Sequence, residues 1–175
     1  MSRIRKAVGF WAVLVALIVV PTTFYVVSRL LDNLLGLPPL LPGQGNLFLA
    51  AISLLVGVFW VSWSYSFLHY VGKGSPVEAF GVALYPTQNL VTSGPYAYSR
   101  NPMVLGMLFI LLGIALLLNS ISGVVLIPIL ALVAFVYIRL YEEPGLVRRF
   151  GEDYVQYRGT TPAIIPIWKP RPLAN

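Results

Sequence analysis

The chain has 175 residues, 58% of them hydrophobic and only 10% charged, with a formal net charge of +6 and a mean hydropathy of +0.80. So apolar a chain falls outside the balance of a water-soluble domain, so one membrane-integral domain over residues 1–175 is expected, and the basic excess reads as ends facing anionic lipid, with no nucleic-acid partner. Cys is absent, which excludes disulfides, thiolate metal centres and cysteine nucleophiles, and no metal is expected.

A helix needs about 20 apolar residues to cross the hydrocarbon, and four segments are candidates. The first, residues 7–27, follows the basic start Arg3, Arg5 and Lys6. It is longer than a secretory apolar region and lacks a small-residue cleavage site, so a retained helix is expected, with Pro21 inside it. Residues 28–46 are rich in Leu, Pro and Gly and are expected to lie partly in the membrane interface without chemistry. The second helix is expected over 47–71, and the cytosolic loop 72–101 after it is long enough to carry function. The third and fourth helices, 102–118 and 121–141, are separated only by Asn119 and Ser120, which requires a tight antiparallel hairpin.

The segment 142–175 completes the cytosolic side. Within it Leu146, Val147, Phe150, Tyr154 and Tyr157 recur at helical spacing among Arg148, Arg149, Glu152 and Asp153, the pattern of one amphipathic helix over 142–158. The expected fold is therefore all-α: a polytopic membrane protein with four spans, a tight hairpin of the last two and an amphipathic C-terminal helix. Arg3, Arg5, Lys6, Lys73, Arg100, Arg139, Arg148, Arg149, Arg158, Lys169 and Arg171 fall on one side and only Arg29 on the other. By the positive-inside rule both termini and loop 72–101 are expected in the cytosol.

Three polar clusters fall on that side. In Gly72-Lys73-Gly74-Ser75-Pro76 the glycines either stop the helix or let backbone N–H groups approach a ligand. In Ser93-Gly94-Pro95-Tyr96-Ala97-Tyr98-Ser99-Arg100-Asn101-Pro102, Arg100 and Asn101 stand before a Pro-started helix. They suit an anionic group, or else Arg100 reaches lipid phosphate and the tyrosines belong to an interfacial belt. Glu142 and Glu143 end the fourth helix, where two carboxylates oppose the helix dipole and need a cation. Arg139, three and four residues earlier, supplies one by helical spacing, and a ligand ammonium is the alternative.

Taken in order, Gly-Lys-Gly-Ser-Pro, Ser-Gly-Pro-Tyr-x-Tyr-x-Arg-Asn-Pro-Met-x-Leu-Gly, an apolar hairpin, and Glu-Glu-Pro-x-Leu-x-x-x-Phe-Gly-x-x-Tyr-x-x-Tyr resemble the isoprenylcysteine carboxyl methyltransferase and phospholipid methyltransferase superfamily, over residues 72–168. The resemblance implies a methyltransferase that holds S-adenosylmethionine in a cytosol-facing pocket, releases S-adenosylhomocysteine, and takes a lipophilic acceptor from membrane lipid. Position by position it implies cofactor contact at Gly72, Gly74, Tyr96, Tyr98, Arg100, Asn101, Pro102, Gly106, Glu142, Glu143, Tyr154 and Tyr157. Catalytic roles are expected for Arg100, Glu143 and Arg139.

The cofactor carries an ammonium, a carboxylate and a sulfonium. Glu142 or Glu143, Arg100, and the faces of Tyr96 and Tyr98 answer these groups. Arg139 is expected to pair with Glu143 and leave Glu142 to the methionine end. A carboxylate acceptor needs no base, whereas an ammonium acceptor must lose a proton, for which His69, the single His, is a candidate beside its plainer reading as an interfacial hydrogen-bonding residue. Isoprenylcysteine carboxylate, phospholipid amine and small isoprenoid-like compounds all fit as acceptors. An NADPH-dependent sterol-type reductase and a non-enzymatic membrane scaffold are the competing readings.

Overall fold

The computed structural model describes residues 2–74, 78–79, 82–83 and 87–167, with side chains described over 18–74 and 87–167. Ser75, Pro76, Lys169, Arg171 and the side chains of Arg3, Arg5 and Lys6 lie outside the described residues. Six α-helices are described: α1 Ser2–Leu35, α2 Gly45–Tyr70, α3 Pro102–Leu117, α4 Ile121–Tyr137, α5 Glu143–Phe150 and α6 Glu152–Thr160. A 3-10 turn covers Gly94–Ala97 and a π turn covers Ile138–Glu142. Loop 2–3 carries one minimal antiparallel pairing, β1 Glu78–Ala79 with β2 Val82–Ala83.

Helix α1 is longer than the apolar stretch 7–27, because Pro21 is accommodated inside it and its end is set by a glycine. Gly36 adopts φ 61°, and the N–H groups of Gly36 and Leu37 donate to the carbonyls of Asn33 and Asp32. That left-handed cap needs a residue without a Cβ penalty. Three helical stretches, Ile18–Leu35, Gly45–Tyr70 and Ile121–Phe150, are long and apolar enough to cross a membrane.

The third expected span is shorter than the other three. Helix α3 has 16 residues, about 24 Å at the α-helical rise against roughly 30 Å of hydrocarbon. It is the inner helix of the bundle, with Leu105, Gly106, Leu111, Gly113, Ala115 and Leu116 buried. Its main partner is α2, and small residues make the crossing close. A Cβ on Gly57 would lie 2.7 Å from the Gly106 carbonyl, and one on Gly106 would lie 2.8 Å from the Gly57 carbonyl. The Ser53 hydroxyl donates to the Phe109 carbonyl at 2.8 Å and the Asn46 amide to the Leu116 carbonyl at 3.1 Å. Small residues plus polar clips are what helix pairs use where lipid supplies no hydrophobic drive.

The α3–α4 hairpin turns at Asn119 and Ser120 as expected. Asn119 takes φ 53°, a conformation Asn tolerates, and Ser120 caps α4 by accepting from the Gly123 N–H at 2.9 Å. Asp32 of α1 accepts from the Ser122 N–H at 3.0 Å, and the Asn119 amide exchanges two 2.9 Å bonds with Leu41. Loop 1–2 is thereby clipped to the hairpin turn.

The expectation of one amphipathic helix over 142–158 is corrected. The α4 helical path runs on through the π turn into α5 and stops at Gly151, whose φ 57°, ψ −134° only glycine adopts without strain. Helix α6 restarts from there. The break turns α6 back so that Tyr154 and Tyr157 are buried with Tyr96 and Val91, against Phe67, Leu146, Val147 and Phe150.

Candidate functional site

The segment leading into α3 is held from two sides. Gly94 sits at φ 60° where any Cβ would strike the Phe67 ring, which fixes the 3-10 turn against α2. The Tyr157 hydroxyl donates to the Tyr96 carbonyl at 2.6 Å. Beyond it, Tyr98–Asn101 runs alongside Pro162–Ile167. The N–H groups of Arg100 and Asn101 donate to Pro162 and Ala163 at 2.9 and 3.0 Å, the Ile167 N–H donates to Tyr98 at 3.0 Å, and the Ser99 hydroxyl donates to Ile164 at 2.8 Å. With the backbone so pinned, Arg100 projects into a closed space: its side chain is 4% exposed.

Glu143 enters the same space, at 3% exposure, because of the π turn. The Glu143 N–H donates to the Ile138 carbonyl, and both residues are buried. In an uninterrupted α-helix residues five apart point about 140° away from each other, so the widened turn aligns them. Three guanidiniums converge on Glu143: Arg100 NH1 is 2.8 Å from Oε1, Arg139 NH1 is 2.9 Å from Oε2 and Arg158 NH1 is 3.5 Å from Oε2. Arg100 NH1 also donates to the Tyr154 hydroxyl at 3.3 Å.

Two buried atoms of this cluster lack an aligned hydrogen bond: Arg100 Nε, a donor, and Glu143 Oε1, an acceptor. Oε1 is close to Arg100 NH1, but the approach is off the hydrogen-bonding direction, so the contact is coulombic. Unpartnered buried polar atoms are expensive. A donor and an acceptor side by side fit a ligand that is itself both anion and cation.

Three tyrosines frame the cluster. Burial pushes Tyr96 up from the usual phenol range, and the Glu142 charge adds to it. Burial likewise raises Tyr157. Tyr154 is pushed up to about 12 by burial, with Glu143 adding and Arg100 partly offsetting. All three hold their protons near neutral pH and act as donors or apolar walls.

The other expected site residues are placed as follows. Arg139 pairs with Glu143, as the four-residue spacing predicts. Glu142, expected toward the ligand, is half-buried on the Tyr96 side, and Glu143 is the carboxylate inside the charge cluster. Tyr98 is half-buried against Trp63, ring centroids 6.3 Å apart. Gly72 and Gly74 donate their N–H groups to Phe67 and Leu68 at 3.2 and 3.3 Å, and a Cβ on Gly72 would press on Leu68, Val91 and Thr87. They end α2, and those N–H groups are already engaged. The Asn101 amide donates to the Ala163 carbonyl at 3.0 Å and Pro102 opens α3. Gly106 lies in the α2 crossing. His69 is exposed and stacks on Tyr65, 6.1 Å between centroids. Sequence reasoning missed Arg158 as a member of the cluster, although it stands four residues after Tyr154, on the same face of α6.

Comparison with known proteins gives a family and relatives. The family model described as phospholipid methyltransferase matches residues 46–153. The protein-S-isoprenylcysteine O-methyltransferase of Schizosaccharomyces pombe is 37% identical over 78 residues, covering 45% of this chain and 33% of that protein. Its counterpart in Mus musculus is 37% identical over 87 residues, covering 47% of this chain and 29% of that protein. The match thus spans about a third of the length of these relatives. No solved structure matches the chain.

Proposed function

The chain belongs to the phospholipid methyltransferase family, and from that membership we propose that it transfers a methyl group from S-adenosylmethionine to a lipophilic acceptor at the cytosolic face of a membrane. The observation that carries this reading is a pair of buried atoms without an aligned hydrogen bond, Arg100 Nε and Glu143 Oε1, the second in ion-pair contact with Arg100 NH1 at 2.8 Å. The amino-acid end of S-adenosylmethionine offers a carboxylate to the first and an ammonium to the second, both as charge-assisted hydrogen bonds. Tyr154, whose hydroxyl accepts from Arg100 NH1, and Tyr96, buried with it, supply aromatic faces that tolerate a nearby positive sulfur. When bound, the cofactor supplies an electrophilic methyl group. The residues of the chain orient the partners and exclude water, which is where most of the acceleration of an in-line displacement can arise.

The fold supports access from lipid. The three long apolar helices and the shorter α3 make four spans in this proposal, with both termini and the Arg100–Glu143 cluster on the cytosolic side by Lys and Arg placement. The apolar cluster of Leu105, Ile138, Ala163 and Ile164 with Trp60 lies next to the charged one and suits a hydrocarbon tail. Titration of the purified chain with S-adenosylhomocysteine and with NADPH tests the reading. Saturable binding of the first and none of the second is expected; the reverse would make it a reductase, and binding of neither a scaffold.

A further inference from the structure

Two adjacent glutamates follow α4, and one backbone feature decides which of them meets Arg100. Glu143 is buried and lies 2.8 Å from Arg100 NH1, while Glu142 is half-buried on the Tyr96 side. The helical path Ile121–Phe150 is continuous, and in an α-helix the residue stacked over Ile138 is the fourth one on, Glu142. Here the Glu143 N–H donates to the Ile138 carbonyl instead. The π turn holds one extra residue, and a slip of one residue is worth about 100° of rotation.

The turn is followed at once by Pro144. Inside a continuous helix a proline ring runs into the carbonyl four residues back and offers it no N–H, and for Pro144 that carbonyl belongs to Leu140. A helix answers by bending or by widening. Pro21 and Pro128 stand inside α1 and α4, which stay α-helical around them. Around Pro144 both sides are held. Ile138 is 1% exposed, packed with Leu105, Ala163 and Ile164, and Leu146, Val147 and Phe150 pack on Tyr154 and Tyr157. Bending would pull one of these contacts apart, so widening is the cheaper way past the ring. Pro144 itself is exposed, and it acts through the backbone.

We infer that Pro144 is a positioning residue: it imposes the π turn, and through that turn it selects Glu143 over Glu142 as the carboxylate that faces Arg100. Without the proline, the path from Ile138 closes to the α register. The Glu142 N–H then takes the Ile138 carbonyl, and Glu142 turns into the place that Glu143 now fills. The inference rests on the methyltransferase reading only where ligand affinity is the readout.

The test uses the full chain in lipid nanodiscs, with Glu142→Gln and Glu143→Gln each made in the parent chain and in Pro144→Ala. Melting temperature without ligand and affinity for S-adenosylhomocysteine are both measured. In the parent chain Glu143→Gln is expected to be the damaging change, lowering the melting temperature by several degrees and raising Kd at least about tenfold. In Pro144→Ala the order is expected to reverse: Glu142→Gln does the damage by both measures, and Glu143→Gln changes Kd less than about threefold. Deleting Leu140, which is 62% exposed, from the Pro144→Ala chain removes the extra residue, and Glu143 is expected to become the sensitive position again. A proline that served stability alone would not exchange the two glutamates. Retention of the parent's order in Pro144→Ala overturns the inference, as does a loss of folding that deletion of Leu140 does not repair. Melting temperatures that exchange as expected in a chain that binds no S-adenosylhomocysteine would instead defeat the methyltransferase reading and leave the positioning role standing.

Discussion

Adjacent glutamates at a helix end cannot share one role, because neighbouring residues diverge by about 100°. The pairing of Arg139 with Glu143 was legible from spacing alone. Which carboxylate faces the buried arginine was not, since a π turn is not written in apolar periodicity and it moves Glu143, not Glu142, into register with Ile138. Glu143→Gln is therefore expected to raise the dissociation constant for S-adenosylhomocysteine at least about tenfold, and Glu142→Gln by less than about threefold. Calorimetric titration of both variants checks this, and equal losses would put both carboxylates on the ligand. Tyr154 gives a second prediction. Its folded pKa, about 12, exceeds the unfolded value of about 10, so the folded state holds the proton longer. Its contribution to stability is full below about pH 10 and is lost as pH rises from about 10 to 12. Melting temperatures of the parent chain are expected to fall across that window more steeply than those of Tyr154→Phe.

At the scale of elements, helix positions were readable because long apolar runs and a two-residue gap leave little choice. The shortness of α3 was marked in its 17-residue stretch, but its inner position depends on small residues that meet only in three dimensions. Gly106 shows the difference. Its motif suggests cofactor contact, while its Cα faces the Gly57 carbonyl across a helix crossing. Gly106→Val is expected to lower stability by about 1–3 kcal/mol through overpacking, with S-adenosylhomocysteine affinity retained in the folded fraction. Loss of affinity without loss of stability would return Gly106 to the ligand. The split of the C-terminal helix was hidden because residues 142–158 keep a helical pattern across the break, and only the backbone at Gly151 reveals it. Gly151→Ala has open space for its Cβ but an unfavourable φ and ψ, so a loss of about 1–3 kcal/mol is expected in chemical unfolding.

For the whole molecule, composition and Lys and Arg asymmetry made a membrane protein legible at once, and the order of three polar clusters made the family legible from the sequence alone. What sequence order left open is how the clusters meet. The strap Pro162–Ile167 pins the approach to α3, the π turn brings in Glu143, and the Gly151 break returns Tyr154, Tyr157 and Arg158 to the same place. In the proposed function this convergence makes a receptor for a zwitterion, with Arg100 Nε and Glu143 Oε1 as its two poles. The most direct measurement is calorimetric titration of the purified chain and of its Arg100→Ala variant with S-adenosylhomocysteine. Saturable binding by the parent chain, weakened by about 1.5–3 kcal/mol in the variant, is the predicted result. Equal affinity in the two folded proteins, or no binding by the parent chain, would contradict it.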